Sequence, residues 1–400
     1  MEHIILFDNE IRDRLLPFTY TRPVCELRVG MLTIKEKWEQ WMGCKVSYIT
    51  QDYLAEKFPI ERGDTNFVIN GSVMPSEQLC TLIRQMGFNE AYLRGEELIV
   101  AKLDATQLDK LVNDEDISEI AGFDIQNTSF LKLDHLWDIF GLNDEAIRSD
   151  FEVLTRGRRS RLLSRTNQVM GSEQVFVEDG AEVECCILNA TTGPIYIGKG
   201  AKLLEGSMLR GPVAVMDGAV IKMGSKIYGA TTLGPGSKVG GELNNVVFWG
   251  NSNKSHDGYL GNSVIGEWCN LGAGTSCSNM KNNYSTVRLW NDALQDYEET
   301  DLQFVGLFMG DHVKCGIHTA FNTGTVVGVG AHIFGTELQP KYIPSFAGGG
   351  AQRWETHEMG KAFEMMERVM SRKEVRFSAE DRLVVMKIFE DTSLHRSWEK

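Results

Sequence analysis

The sequence predicts an α/β domain, then a parallel β-helix of hexapeptide repeats, then a C-terminal helical tail. Three observations carry this reading. Short apolar runs alternate with helical periodicity in the first third of the chain. Aliphatic residues then recur at every sixth position. Of 40 glycines, nine precede residue 166 and thirty lie between Gly171 and Gly350. The boundaries drawn from these patterns are 1–165 for the α/β domain with its linker helix, 166–350 for the β-helix and 351–400 for the tail.

In the first part, His3–Phe7, Lys45–Thr50, Asn66–Asn70 and Glu97–Lys102 read as strands. Met31–Trp41 and Ser76–Met86 have helical periodicity, with Ser76 as a candidate N-cap. Strand–helix–strand repetition predicts a largely parallel sheet. Residues 133–155 read as a helical bridge to the next part.

The middle part has Ile197, Leu203, Leu209, Val215, Ile221, Ile227, Leu233 and Val239 in one unbroken six-residue phase. Small residues such as Ala201, Ser207, Ala219 and Ser225 follow in step. The phase slips, returns at Ile265, Leu271 and Cys277, and resumes at Met309, Cys315, Phe321, Val327 and Ile333. This period fits neither helix nor hairpin. It fits a solenoid whose hexads are each one short strand plus a turn, three to a triangular coil. Residues 245–259 and 280–307 break the period and are expected to leave the solenoid as loops, where a site can be built. In the tail, Glu355–Arg372 and Ser378–Asp391 are amphipathic, and Ser378 with Asp381 resembles a capping box. The tail is expected to cover an open coil end or a neighbouring subunit.

Composition narrows the function. The 400 residues hold 41 Lys and Arg against 55 Asp and Glu, a formal charge of -14. That argues against non-specific nucleic-acid binding. No apolar run reaches the length of a membrane span. The opening MEHIILFDNE shows no secretory signal. Eight cysteines lack C-x-x-C spacing, which points away from a zinc ribbon or a disulfide framework. A cytoplasmic protein with reduced, mostly buried thiols is expected.

The chemistry concentrates around His256. Lys254-Ser-His-Asp-Gly-Tyr-Leu-Gly is followed by Asn270-Leu-Gly-Ala-Gly-Thr and by Asn279-Met-Lys281. An imidazole, with an ordinary pKa near 6.5, suits removal of a proton from an attacking amine. Amide side chains and a Tyr can orient sugar hydroxyls, and Lys254 or Lys281 can pair with a sugar phosphate.

These residues resemble the acetyltransferase half of the bacterial bifunctional N-acetylglucosamine-1-phosphate uridyltransferase / glucosamine-1-phosphate N-acetyltransferase family. With Gly240-Gly-Glu and Asn282-Asn-Tyr they are closer still to a divergent, alternative bacterial branch. The resemblance spans the chain and is specific in residues 240–284. It implies a left-handed β-helix, His256 as catalytic base, and Tyr259, Asn270 and Asn279 as substrate-binding residues. It implies acetyl-CoA as co-substrate, met by Ala273 and Gly335, and a homotrimer with sites between chains. There are departures. The family Lys twelve residues before the catalytic His falls on Asn244, a family Arg has no counterpart, and two coenzyme positions, usually Ser and Ala, become Ile317 and Gly335.

The stretch Ile11–Val24 resembles the signature loop of sugar nucleotidyltransferases. Arg14, Pro17, Thr19 and Pro23 match, while its Gly and Thr fall on Arg12 and Asp13, its Lys on Val24, and the magnesium Asp on Ser72. Arg12, Arg14, Arg22 and Arg28 are the candidate phosphate contacts. One reading is nucleotidyl transfer from a nucleoside triphosphate, UTP by resemblance, with Mg2+. The other is sugar-nucleotide recognition without catalysis. The metal ligand stays unassigned among Asp8, Asp134 and Asp138.

The function expected is therefore a transferase of UDP-N-acetylglucosamine-type biosynthesis. Two rivals remain. One is a regulatory or scaffold protein that binds sugar nucleotide. The other is a zinc-dependent solenoid like the gamma-class carbonic anhydrases, using His312, His318 and His332 from two chains. Trp249, Trp268 and Trp290 are read as core or trimer packing, with sugar stacking as the alternative.

Overall fold

The structure is a computed structural model that describes residues 2–113, 115, 120–335 and 337–399. Two compact units are present. The first comprises Met1–Leu15, Thr21–Leu27 and Leu32–His135; the second comprises Leu16–Tyr20, Arg28–Met31 and Leu136–Lys400.

The first unit is built on six strands: β1 (Glu2–Phe7), β2 (Val46–Ile49), β3 (Thr65–Asn70), β4 (Glu90–Arg94), β5 (Glu97–Asp104) and β6 (Ala121–Asp124). Their order is β2-β1-β3-β5-β4-β6. β1 runs parallel to β2 and β3, and β4 to β6, but β5 is antiparallel to both neighbours. The sheet is thus mixed rather than largely parallel. The reason is local: β4 and β5 are joined by the tight turn at Arg94–Glu97, with Gly95 at φ 64, which reverses the chain. Helix α1 (Ile34–Met42) starts later than its periodicity implies, because Thr33 caps it. Thr33 Oγ1 accepts from the Glu36 N–H at 3.1 Å, and the Glu36 carboxylate accepts in turn from the Thr33 N–H at 2.7 Å. Helix α2 (Glu77–Gln85) is capped as expected by Ser76, whose Oγ accepts from Leu79 N–H.

The second unit is a parallel β-solenoid followed by a helical tail. Each of the eight aliphatic residues from Ile197 to Val239 is buried in one continuous core, joined there by Ile265, Leu271, Cys277, Met309, Cys315, Phe321, Val327 and Ile333. The third face of the coil is a ladder of two-residue strands: Lys202–Leu203, Val220–Ile221, Lys238–Val239, Asn253–Lys254, Asn270–Leu271, Lys314–Cys315 and His332–Ile333. The second residue of each points inward and the first outward.

One expected loop is corrected. Residues 245–259 stay in the solenoid, in strands Glu242–Gly250, Asn253–Lys254 and Tyr259–Glu267. Ile221 pairs with Val239, eighteen residues on, but Val239 pairs with Lys254, only fifteen on. The phase slip is a shortened coil, not an insertion. Residues 280–306 do leave the ladder, and Leu307 rejoins it opposite Thr325. They carry an antiparallel hairpin, Arg288–Asn291 with Asp296–Glu299.

The bridging segment forms helix α3 (Asn143–Thr155). Its Asn143 Oδ1 accepts from Gly30 N–H at 2.7 Å, and its Asp150 carboxylate accepts from Met31 N–H at 2.7 Å. These bonds fix Arg28–Met31 within the second unit. The tail forms α4 (Met359–Ser371) and α5 (Ala379–Asp391). Ser378 and Asp381 make the expected capping box. α5 packs Phe389 on Phe346, with ring centroids 5.1 Å apart.

No disulfide joins the eight cysteines, six of which are buried. Among the described residues no helix is long and apolar enough to cross a membrane.

Candidate functional site

The outward residues of the third face form a polar column. Lys238 is in register with Asn253, Asn253 with Asn270, Asn270 with Lys314, and Lys314 with His332. A cleft of about 770 Å³ lies along this column. One wall holds Lys238, Asn253, Asn270 and Lys314, with His256, Ala273 and Ile317 at the corner turns. The other wall is the C-terminal end of α4 and the residues after it: Met365, Val369, Arg372 and Lys373. The tail of the same chain therefore closes the cleft. Lys373 fixes that wall, its ammonium donating to the Gly236 carbonyl at 3.0 Å.

The cleft is strongly cationic. Lys238, Lys314, Arg372 and Lys373 line it, and no Asp or Glu is among its lining residues. This is a local reversal of a chain with net charge -14. Burial pushes the Lys314 ammonium down to about 8, while it donates to the Trp268 and His312 carbonyls. Burial, and then the charge of Lys238, lower Lys373.

The structure sorts the residues predicted from sequence into three places. His256, Asn270 and Ala273 line the cleft, and the His256 side chain is exposed to it. Tyr259 and Asn279 form a second polar group with Asn244, the residue at the family Lys position. Burial raises the Tyr259 phenol, which hydrogen-bonds with the side chains of Asn244 and Asn279. Asn279 Nδ2 donates to Asn262 Oδ1 at 2.7 Å. Gly261 makes room for this group: a Cβ there would stand 2.3 Å from the Tyr259 hydroxyl. Lys281 lies at the base of the hairpin loop, where its ammonium donates to the Thr286 carbonyl and, at 3.4 Å, to Ser285 Oγ.

Lys254 is corrected. It was expected to meet a sugar phosphate, but it occupies an inward ladder position and is 1% exposed. Its ammonium donates to the carbonyls of His256, at 2.9 Å, and Gly240, at 3.2 Å. Burial pushes its pKa down to about 8, opposed by the charges of Asp257 and Cys315. Gly335, at φ 124, is not among the lining residues, whereas Ile317 is.

In the signature loop, Arg12 is buried. Its guanidinium donates to Asp13 at 2.7 Å and to the Tyr53 hydroxyl at 2.6 Å. Arg28 is buried too and donates to the Met31 carbonyl. Of the four candidate phosphate contacts, these two have their guanidiniums engaged within the protein. Arg14 is exposed, and Arg22 is half-buried with its Nε donating to Thr21 Oγ1 at 3.3 Å. The Asp8 carboxylate accepts from Val24 N–H at 2.8 Å and from the Thr50 hydroxyl at 2.6 Å, and burial raises its pKa. Ser72 is buried and donates to Asn70 Oδ1 at 2.8 Å. Asp134 is paired with Lys132.

The remaining candidates separate. Trp249 is core: its ring packs on Phe18 at 4.5 Å and its Nε1 donates to the Arg28 carbonyl at 3.2 Å. Trp290 stacks on Tyr342 at 4.3 Å. Trp268 stacks on His312 and lines the cleft. His332 instead neighbours His357. Among the described residues no group of three His, Cys, Asp or Glu could hold a metal ion.

Lys238, Lys314 and the whole α4 wall escaped the sequence reading. For the two lysines a signal existed, since each immediately precedes an inward hexad residue. For Arg372 and Lys373 the only signal was a basic helix end.

Residues 4–159 match the family described as sugar nucleotidyl transferase. The "Bifunctional protein GlmU" of Methanocaldococcus jannaschii is 31% identical over 87 residues, 22% of this chain and 21% of that protein. The GlmU of Bartonella quintana is 24% identical over 228 residues, 54% of this chain and 46% of that protein. The chain thus spans under half the length of these curated relatives. A solved structure, the polySia-specific acetyltransferase NeuO, aligns at 12% identity and a TM-score of 0.26, covering 48% of this chain and 82% of that one.

Proposed function

We propose that this protein is a sugar-phosphate transferase whose solenoid moves an acetyl group from acetyl-CoA to the amine of glucosamine 1-phosphate. The observation that carries the reading is the acid-free cationic cleft with the exposed His256 at its edge. Coenzyme A is a polyanion with a long, thin acyl arm. Four cations suit its phosphates, and Ile317, Met365 and Val369 suit its apolar arm. His256 takes a proton as the amine attacks the thioester carbonyl. The carbon–sulfur bond of the tetrahedral adduct then breaks, and the thiolate leaves with a proton. Tyr259, Asn270 and Asn279 orient the sugar. The sugar nucleotidyl transferase match over residues 4–159 and the GlmU relatives support amino-sugar activation as the setting. The assay is thiol release from acetyl-CoA with glucosamine 1-phosphate.

The α4 wall gives a separate prediction. Arg372→Ala with Lys373→Ala is expected to raise KM for acetyl-CoA about tenfold per lost phosphate contact, with kcat nearly unchanged. The gap between variant and wild type narrows as salt rises. Steady-state kinetics at two ionic strengths check both.

For the N-terminal domain, nucleotidyl transfer from UTP is the activity implied by resemblance. A magnesium ion would supply charge stabilisation at the phosphates, but two of its three candidate carboxylates are already engaged. Asp8 has both oxygens engaged, Ser72 is turned to Asn70, and Asp134 is paired with Lys132. These bonds favour recognition of a sugar nucleotide without turnover. UTP and N-acetylglucosamine 1-phosphate with Mg2+ are expected to bind without releasing pyrophosphate. Pyrophosphate release above the uncatalysed rate would assign catalysis instead. The homotrimer is carried into this reading by resemblance.

A further inference from the structure

We infer that Lys254 is a positioning residue, an internal ammonium that sets the His256 turn from inside the solenoid core. The inference rests on the reading of His256 as the base.

The argument starts from the ladder. The inward column of the third face reads Leu203, Ile221, Val239, Lys254, Leu271, Cys315 and Ile333. Lys254 is the one charged member of a column otherwise apolar, and it is fully buried. A lysine there is worse for packing than the aliphatic residue the repeat calls for, and desolvating an ammonium is strongly unfavourable unless it is hydrogen-bonded. Its bonds go to two backbone carbonyls at the same corner of successive coils, Gly240 and His256. The ammonium therefore ties the His256 corner to the coil beneath it.

The His256 turn needs such a tie. Its neighbours are held by the ladder: Lys254 O accepts from Gly240 N–H, Asp257 O from Gly274 N–H, and Gly258 O from Glu242 N–H. Among the described residues the His256 carbonyl takes its hydrogen bond from Lys254. No described side chain hydrogen-bonds to the His256 ring. The ring's place at the cleft edge is thus set through its backbone, and the backbone is set by Lys254. This coil is also the shortened one, fifteen residues rather than eighteen, so the corner cannot follow the regular repeat.

The test uses the full-length protein with Lys254→Met, Lys254→Gln, Val239→Ala and His256→Ala. Met keeps an unbranched side chain of similar length and removes the ammonium that makes both bonds. Gln keeps a neutral donor for one carbonyl. Val239→Ala damages the same core one coil away without touching the turn. Acetyl transfer and amide hydrogen exchange over residues 255–258 are measured for each. Lys254→Met is expected to keep the wild-type melting temperature or exceed it. Its kcat falls about 10- to 100-fold, the scale of a misplaced catalytic group, with KM for acetyl-CoA within about twofold. Lys254→Gln falls between Met and wild type. Val239→Ala lowers the melting temperature and leaves kcat near wild type. Exchange at 255–258 speeds up about tenfold in Lys254→Met alone. Wild-type kcat and exchange in Lys254→Met, with His256→Ala inactive, would overturn the role of Lys254 while leaving His256 the base. Full activity in His256→Ala would instead overturn the parent reading, and hydrogen exchange then decides whether Lys254 holds the turn. If Lys254→Met does not fold, wild-type kcat and exchange in Lys254→Gln overturn the proposal.

Discussion

Replacing His256 by alanine is expected to lower kcat for acetyl transfer by about 10²- to 10⁴-fold, the usual contribution of a positioned general base. In barrier terms that is about 3–5 kcal/mol. The side chain is exposed at the edge of the cleft and makes no hydrogen bond to a described side chain, so its loss leaves no buried partner unsatisfied. Folding and the affinity for acetyl-CoA are therefore expected to stay within about twofold of wild type. Thiol release at saturating acetyl-CoA and glucosamine 1-phosphate measures this directly. An equal rate in wild type and variant would remove His256 from the chemistry.

The second large effect concerns stability. Lys254→Met is expected to stabilise the fold at pH 7 by up to about 3 kcal/mol, from a lysine pKa lowered from 10.5 to about 8. The sign follows from proton binding. Below pH 8 both folded and unfolded chains carry the proton, and the folded chain bears the full desolvation of a buried ammonium. Between about 8 and 10.5 the unfolded chain keeps the proton while the folded chain releases it. Stability of the wild type therefore rises with pH across that window, and the advantage of Met shrinks to nothing by its upper end. Burial is the larger cause of the shift, and Asp257 and Cys315 oppose it. Urea unfolding of both proteins at pH 7 and pH 10 tests it. A gap of equal size at both values would trace the difference to packing rather than to the proton. The two Lys254→Met predictions together describe a residue that weakens the fold in order to hold a catalytic turn.

Much of the solenoid was legible in the sequence, because its coil repeats a physical constraint. Every inward position must be apolar, and the turn between strands has a fixed length, so a six-residue phase from Ile197 to Val239 leaves little choice of fold. The same logic misread residues 245–259. A shortened coil and an inserted loop both break the phase, and only the pairing of Val239 with Lys254 tells them apart. In the first unit four of the six strands were read; β4 and β6 were not, and the antiparallel direction of β5 was missed, since an apolar run does not record its direction.

For the site, the chemistry-bearing stretch could be read directly: His256, Tyr259, Asn270, Ala273 and Asn279 lie close together in the chain and their residue types suit amine acylation. Local spacing is enough for that, because a coil of about eighteen residues returns neighbouring segments to neighbouring rungs. Folding set which way each side chain points and what faces it. It turned Lys254 into the core and gave its charge to the His256 carbonyl. It engaged Arg12 and Arg28 within the protein. It brought Arg372 and Lys373, just after α4 and more than a hundred residues from His256 in sequence, onto the cleft. A repeat pattern fixes which residues share a rung, but burial, hydrogen-bond closure and the docking of a distant helix depend on contacts between segments that no local pattern encodes.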